Sequence, residues 1–287
     1  MASGGCERRA DAHSSPWPFH PDTRAQREHP RMSTPAMLKK TRAIVRRWLR
    51  NYRASFNGED LVRLARIFRT DKWGSHWYAQ HYNRHFAPLR KRKLTILEIG
   101  VGGDADPLAG GESLRTWKWF FRRSQIVGID IHDKKALEEH RIRVYQGSQD
   151  DGAFLKRVVD EVGRPDIVID DGSHENGHVI TSFKVLFPLL QANGIYVVED
   201  TQTSYWPSFG GLVHERHSDQ TTMGFFKGLI DGLNFSEYLL PGYVPSFYDQ
   251  HIVALHFYHN LIFIYKGLND EGSNLVHDGT LRGVPPA

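Results

Sequence analysis

Two pairs of acids stand where short apolar runs of the sequence end, a pattern that suits metal-ion chemistry. Asp170 and Asp171 end one run, and Glu199 and Asp200 end another. Crowded carboxylates raise one another's pKa, and a bound divalent cation removes that cost. Hard oxygen ligands select Mg²⁺ or a similar ion. We therefore predict Asp171, Glu199 and Asp200 as Mg²⁺ ligands, with Asp170 facing a second ligand; a solvated sheet edge is the alternative.

A histidine follows the first acid pair closely. His174 lies three residues after Asp171, on the turn that leaves the strand. From there its imidazole can reach a hydroxyl group at the metal site and accept a proton from it. We predict His174 as the general base, and a helix-capping or surface role is the alternative.

A glycine-rich turn follows the first apolar run. Gly100, Gly102 and Gly103 let the backbone approach a ligand and take positive φ angles. The spacing also satisfies the dinucleotide pattern, so a nicotinamide cofactor is an alternative. Dinucleotide turns, however, run straight into a helix whose N-terminus holds pyrophosphate. Here Pro107 and several glycines intervene before Ser113.

Acids near this turn favour S-adenosylmethionine as the ligand. Glu98 lies inside the strand end, where it would repel a phosphate and attract a sulfonium or an ammonium group. Asp130 ends the next apolar run and can bind both hydroxyls of a ribose. Gln149 follows the third run, where it can meet an adenine edge. A glycine turn without any ligand is the alternative.

The elements that must position these residues indicate an α/β fold with a mainly parallel sheet. Ligands of such sheets bind outside the carboxyl ends of the strands, which is where the acids fall. We predict a helix near Ser113–Arg123 with Ser113 as its N-cap, and a helical segment from Asp130 through His140. Two further runs, Ile252–Phe257 and Leu261–Tyr265, predict a C-terminal antiparallel hairpin.

Composition divides the chain into regions. The predicted regions are a disordered tail (1–36), an N-terminal helical region (37–90) and a cofactor-binding domain (91–287) that contains a lid or insertion (201–250). The first helix is basic, and we expect its apolar side to pack on the domain or on a partner subunit; a helix on a membrane surface is the alternative. Translation could start at Met1, Met32 or Met37.

Bulk composition excludes several classes of protein. The 287 residues carry a net charge of +4, which gives no case for nucleic acid as a partner. No apolar run approaches the ~18–20 residues of a membrane span. The single Cys6 excludes an internal disulfide framework and a Cys-based zinc site. We expect a cytoplasmic location.

The stretch of residues 70–86 is dense in aromatic, histidine and hydroxyl side chains without a helical reason for its polar groups to cluster. We expect Thr70 and Tyr78 to act at the site, with the stretch covering a bound ligand; packing against the sheet is the alternative. His76, His81 and His85 could form a metal cluster, but we favour surface or structural roles for them.

These motifs together resemble the metal-dependent sugar O-methyltransferases. The resemblance rests on the Glu98-x-Gly-x-Gly turn, the Asp-Asp-Gly-Ser-His174 run and the Val-Val-Glu-Asp200 run, and it covers residues 68–267, including Thr-Asp-Lys-Trp-Gly74. The group includes the mycinamicin 2″-O-methyltransferase type, rhamnosyl O-methyltransferases and the mycobacterial methylmannose 1-O-methyltransferase type. The resemblance implies a class I Rossmann-like methyltransferase domain, S-adenosylmethionine, Mg²⁺ and a homo-oligomer.

The resemblance also implies roles for individual residues. It places metal ligands at Asp171, Glu199 and Asp200 and a base at His174. Its donor contacts are Thr70, Glu98, Ile99, Gly100, Val101, Gly102, Gly103, Ser113, Asp130, Gln149 and Asp170.

The acceptor implied by the resemblance is a sugar hydroxyl of a glycoside, an oligosaccharide or a glycosylated natural product. The macrolide enzymes have a long N-terminal domain, whereas here a short helical region and a tail precede the core, so a smaller glycoside is expected. Two other functions stay open: metal-dependent methylation of a catechol or phenol, and a non-catalytic subunit that binds S-adenosylmethionine.

Overall fold

The computed structural model describes residues 45–46 and 48–282 and contains a seven-stranded sheet. The strands are β1 (Thr95–Ile99), β2 (Gln125–Asp130), β3 (Ile142–Gln146), β4 (Ile167–Asp170), β5 (Ile195–Glu199), β6 (Ile252–Tyr258) and β7 (Leu261–Lys266). Their order is β3-β2-β1-β4-β5-β7-β6. The first five strands are parallel, and β7 runs antiparallel to β5 and to β6. The predicted tail and translation starts lie outside the described residues.

Helices cover both faces of this sheet. They are α1 (48–56), α2 (Leu61–Phe68), α3 (Ala79–Phe86), α4 (Glu112–Phe120), α5 (Gly152–Val162), α6 (Asn176–Leu189), α7 (Thr222–Gly228) and α8 (Phe247–His251). Side chains alternate along a strand, so Ile96 joins the core under α2 to α4 while Leu97 joins the core under α5 to α7. Burial on both faces explains why the central strands β4 and β5 are mostly apolar. The predicted α/β fold and its C-terminal hairpin are confirmed.

The predicted helix between Asp130 and His140 is wrong. Only a 3₁₀ turn, Lys135–Leu137, forms there. The buried Lys134 donates to the carbonyl oxygens of Asp106 (2.7 Å) and Ala109 (3.2 Å), which fastens this segment to the glycine-rich loop. These contacts of Lys134 hold the segment in an irregular conformation, so it does not form a helix.

The apolar side of α1 is exposed in the single chain. Trp48, Tyr52 and Phe56 all face solvent, and their rings contact one another in series, with centroids 5.5 Å and 5.2 Å apart. Ala54 is the buried residue of this helix. The expected packing of this apolar side on the domain is therefore not seen. Among the helices in the part of the chain that the structure describes, none has the length and hydrophobicity of a transmembrane segment.

Candidate functional site

A cavity of about 730 Å³ opens at the carboxyl ends of the parallel strands. The residues predicted to bind the cofactor that line it are Thr70, Ile99, Gly100, Val101, Gly102, Ser113, Asp130 and Gln149. Three residues predicted for the metal site or the base also line it, namely Asp171, His174 and Asp200. Five residues predicted for the site do not line it: Tyr78, Glu98, Gly103, Asp170 and Glu199. The structure thus brings most of the predicted residues to one place.

The glycine turn contacts the loop that carries the acids. Gly100 has a φ of +92°, and a Cβ atom there would lie 2.0 Å from the carbonyl oxygen of Asp171. Gly102 has a φ of +76° but faces open space. Both positions need glycine for their backbone angle, and Gly100 needs it for the close approach as well.

We expect Gly100→Ala to destabilise the protein far more than Gly102→Ala. The left-handed backbone costs an alanine about 1–2 kcal/mol at either position. At Gly100 the added clash with backbone should bring the loss of unfolding free energy above about 3 kcal/mol. Urea unfolding of both variants measures the difference. Equal losses would contradict the close contact between the turn and the loop after β4.

Asp130 is fixed at the edge of the cavity by the backbone. Its Oδ2 accepts a hydrogen bond from the N–H of Val101 and its Oδ1 accepts one from the N–H of His132, both at 2.9 Å. Each oxygen keeps a further lone pair for a ligand. This arrangement suits the predicted contact with a ribose diol.

Gln149 and Ser113, which were predicted to contact the methyl donor, form hydrogen bonds to other residues of the protein. The Nε2 of Gln149 donates to Asp170 Oδ1 (3.0 Å), and its Oε1 accepts from the N–H of Ser173 (2.7 Å), so this amide orders the loop after β4. Ser113 is not the N-cap of α4, which is Gly111. It lies in the first turn of that helix, where its hydroxyl donates to Glu98 Oε2 (2.9 Å).

Glu98 and Asp170 are buried, and their carboxylates form hydrogen bonds within the protein beside the site. Burial raises the pKa of Glu98 to about 7, although nearby Lys72 acts in the opposite direction. Asp170 accepts hydrogen bonds from Ser182 and Tyr196, and burial raises its pKa. The structure therefore does not place either carboxylate against the cavity.

Asp171, His174 and Asp200 form a compact group at the cavity wall. One potential ligand atom from each lies within 4.8 Å of the others. The Nε2 of His174 is 3.5 Å from Asp200 Oδ2 and 4.0 Å from Asp171 Oδ1. His174 (φ +57°) and Asp200 (φ +53°) both have left-handed backbones, which non-glycine residues rarely adopt. Such strain is typical of functional sites.

Two residues of the 70–86 stretch contact Asp200. The hydroxyl of Tyr78 donates to Asp200 Oδ1 at 2.6 Å, and His76 Nδ1 lies 3.7 Å from the same oxygen. Burial acts to raise the pKa of Asp200, but the hydrogen bond from Tyr78 and the two nearby histidines outweigh it and hold this pKa below its usual value. Asp200 is therefore ionised at neutral pH.

The sequence reasoning missed Lys72. Its Nζ donates to Asp171 Oδ2 and to Glu199 Oε1, both at 2.6 Å. Burial alone would lower the pKa of Lys72, but the carboxylates around it outweigh burial and raise this pKa well above its usual value. The hydroxyl of Tyr82 also donates to Glu199 Oε1 (2.6 Å). The only available signal was the aperiodic polar character of residues 70–86, because lysines are rarely buried.

The three histidines of that stretch do not converge. His85 bonds to the hydroxyls of Tyr265 (2.6 Å) and Tyr258 (2.9 Å), and His81 stacks on Tyr258 with the ring centroids 3.9 Å apart. His76 instead lies beside Asp200. His81 and His85 thus have the structural role that we favoured, whereas His76 lies beside an acid of the site.

The oxygen atoms of the acid group fit a hard divalent cation. The carboxylates of Asp171 and Asp200 both line the cavity, and such ligands suit Mg²⁺. Glu199 is buried, its Oε1 already accepts two hydrogen bonds, and it does not line the cavity. Two of the three predicted ligands are thus directly accessible.

Comparisons with known proteins identify relatives of this chain. It is 49% identical over 215 residues to mycinamicin VI 2″-O-methyltransferase of Micromonospora griseorubida, which covers 74% of this chain and 54% of that protein. It is 49% identical over 217 residues to demethylmacrocin O-methyltransferase of Streptomyces fradiae, with 74% and 54% covered. No family model matches the chain.

A solved structure of a relative has the same fold. The MycE methyltransferase from the mycinamycin biosynthetic pathway, in complex with Mg, SAH and mycinamycin VI, superposes with a TM-score of 0.71 at 50% identity, over 74% of this chain and 55% of that one. The chain spans about half the length of the curated relatives it matches. Over the part that aligns, the chain is a relative of these O-methyltransferases.

Proposed function

We propose that the chain is an S-adenosylmethionine- and Mg²⁺-dependent O-methyltransferase that methylates a sugar hydroxyl of a glycoside, an oligosaccharide or a glycosylated natural product. One observation carries the proposal. A single cavity is lined both by the glycine turn with Asp130 and by the group of Asp171, His174 and Asp200. A methyl donor and an alcohol could therefore be held side by side.

The relatives support this assignment. Those named above are O-methyltransferases by name, and the MycE structure contains Mg, SAH and mycinamycin VI. The residues that would hold Mg²⁺ here are Asp171 and Asp200, with Glu199 behind them. When bound, the ion would supply positive charge that makes a neighbouring hydroxyl more acidic.

The chain's own residues would perform the remaining steps. His174 would accept the proton of the acceptor hydroxyl at Nε2, and the ionised Asp200, 3.5 Å away, would stabilise the resulting imidazolium. The acceptor oxygen would then displace the methyl group from the sulfonium. The turn and Asp130 would align the donor, and holding two reactants in this way accounts for much of the rate.

We expect SAH to raise the melting temperature of the purified protein. A ligand present at 100 times its dissociation constant adds about 2.7 kcal/mol to the free energy of unfolding. Asp130→Ala should weaken SAH binding at least about tenfold, because the ribose loses charged hydrogen-bond partners. Thermal-shift titrations with and without Mg²⁺ measure both effects. A protein that responds to NAD(P) and not to SAH, or to neither, would contradict the proposal. A response to SAH without methyl transfer to any acceptor would favour the non-catalytic subunit that binds S-adenosylmethionine.

The acceptor is best identified by a screen of methyl transfer. The panel should contain free sugars, short mannosides, rhamnosides, glycosylated polyketides and a catechol. We propose a glycoside as the acceptor, for example a precursor in polysaccharide or antibiotic biosynthesis. Transfer to the catechol alone would favour the phenol-methylating alternative.

We propose that residues 201–250 act as a lid over the acceptor side. They follow Asp200 directly, and Asn176 at the start of α6 donates to the carbonyl oxygens of Thr203 (3.1 Å) and Phe209 (2.7 Å). The region is therefore anchored to the loop that carries His174.

We also propose a cytoplasmic homo-oligomer. The exposed aromatic side of α1 supports assembly, because it leaves three adjacent rings without cover in the single chain. Light scattering coupled to size-exclusion chromatography measures the state.

A further inference from the structure

Lys72 is a buried cation that the proposed reaction does not use. Its side chain is 2% exposed, and its Nζ lies 2.6 Å from Asp171 Oδ2, 2.6 Å from Glu199 Oε1 and 3.6 Å from Glu98 Oε1. An ammonium group is stable in such a place only when carboxylates pair with it. Its three partners are two buried glutamates and one acid of the cavity wall.

The carboxylates around Lys72 overlap with those that would hold Mg²⁺. Asp171 belongs to two groups whose potential ligand atoms lie within 4.8 Å of one another, one with His174 and Asp200 and the other with Glu98 and Glu199. Lys72 occupies the second group through one oxygen of Asp171 and leaves the other oxygen to the first. An ion at this site and the ammonium group of Lys72 would therefore both be attracted by the carboxylate of Asp171.

We propose that Lys72 is a positioning residue that competes with the divalent cation for Asp171 and Glu199, and so keeps that cation weakly held and exchangeable. The inference rests on the proposed function, because it requires a divalent ion at Asp171 and Asp200. Lys72 also keeps the acids ordered when no ion is bound, since like charges in a buried site would otherwise repel one another.

The competition has a chemical consequence. An ion surrounded by fewer uncompensated carboxylates keeps more of its positive charge for a nearby hydroxyl, and that charge is what promotes loss of the proton. A purely structural lysine would stabilise the fold without affecting how tightly the ion binds. Ion affinity, measured without donor or acceptor, therefore separates the two roles.

The test compares Mn²⁺ binding by the wild type and by Lys72→Met in titration calorimetry. Removing a positive charge that shares a carboxylate with the ion should lower the dissociation constant for Mn²⁺ at least about tenfold. The ion-free variant should melt at a lower temperature than the wild type, and Mn²⁺ should raise its melting temperature by more than it raises that of the wild type.

Lys266→Met is the matched control. Lys266 is also buried, but it donates to the carbonyl oxygens of Pro188 (2.8 Å) and Leu190 (3.0 Å) rather than to carboxylates. Its loss should lower the melting temperature and leave the Mn²⁺ dissociation constant at the wild-type value.

Each result decides the question. A dissociation constant for Mn²⁺ that is unchanged or higher in Lys72→Met overturns this inference alone. If Lys72→Met folds only when Mn²⁺ is present, the ion replaces the ammonium group and the inference is supported. If it does not fold at all, Lys72→Gln, whose amide can still donate to one carboxylate, is judged by the same dissociation constant. A wild type that binds no Mn²⁺ overturns the proposed function together with the inference.

Discussion

Replacing His174 is expected to slow methyl transfer about 10²–10⁴-fold, the range that positioned general bases contribute. His174 Nε2 lies 3.5 Å from Asp200 Oδ2 and the residue lines the cavity, which is why we propose it as the base that takes a proton from an acceptor there. Asparagine is the preferred replacement, because it tolerates the left-handed backbone of this position (φ +57°) and cannot accept the proton at neutral pH.

The measurement separates chemistry from binding. Turnover of His174→Asn is followed with saturating donor, and SAH affinity is measured in parallel, where we expect a change below about twofold because the base does not bind the donor. His140→Ala, at an exposed histidine ahead of β3, is the control and should retain full turnover. If His174→Asn turns over as fast as the wild type, His174 is not the general base.

Asp171→Asn is expected to abolish the response to Mg²⁺ and to lower the rate of methyl transfer more than about 100-fold. Mutating a residue that only supports a metal ligand typically lowers activity about 10–100-fold, and loss of a ligand itself should do more. The amide keeps the size of the side chain and removes its charge. Asp171 is shared by both groups of potential metal ligands, so its loss weakens each of them.

Chelation provides the matching test on the unmodified protein. Adding EDTA should stop methyl transfer by the wild type. Excess Mg²⁺ should then restore the activity of the wild type, but it should not restore activity in Asp171→Asn. Asp160→Asn, an exposed acid on α5, should behave as the wild type. A full Mg²⁺ response in Asp171→Asn would show that the ion binds elsewhere.

The sheet and the main acid positions could be predicted because their signals are local. A strand buried on both faces has to be a continuous apolar run, and residues that end parallel strands meet at one edge. Those two rules place Asp130, Asp171 and Asp200 at the carboxyl ends of parallel strands. In the structure, β2 ends at Asp130, β4 ends just before Asp171 and β5 ends just before Asp200.

The direction of each side chain was not predictable by the same rules. Asp170 and Asp171 are neighbours, yet one bonds to Ser182 under α6 and the other lines the cavity, because alternate residues face opposite sides of a strand. Lys72 could not be assigned, since its partners lie about a hundred residues away in sequence. The segment after Asp130 was misjudged because a tertiary contact, through Lys134, overrides helix propensity.

The approach of Gly100 to the carbonyl oxygen of Asp171 limits how this protein can be re-engineered. With the two loops touching and no space for a Cβ, the loop after β4 cannot be exchanged for another without disturbing the turn after β1. New acceptor specificity is therefore better sought by recombining residues 201–250, which leave that contact intact, than by grafting the segment 170–174.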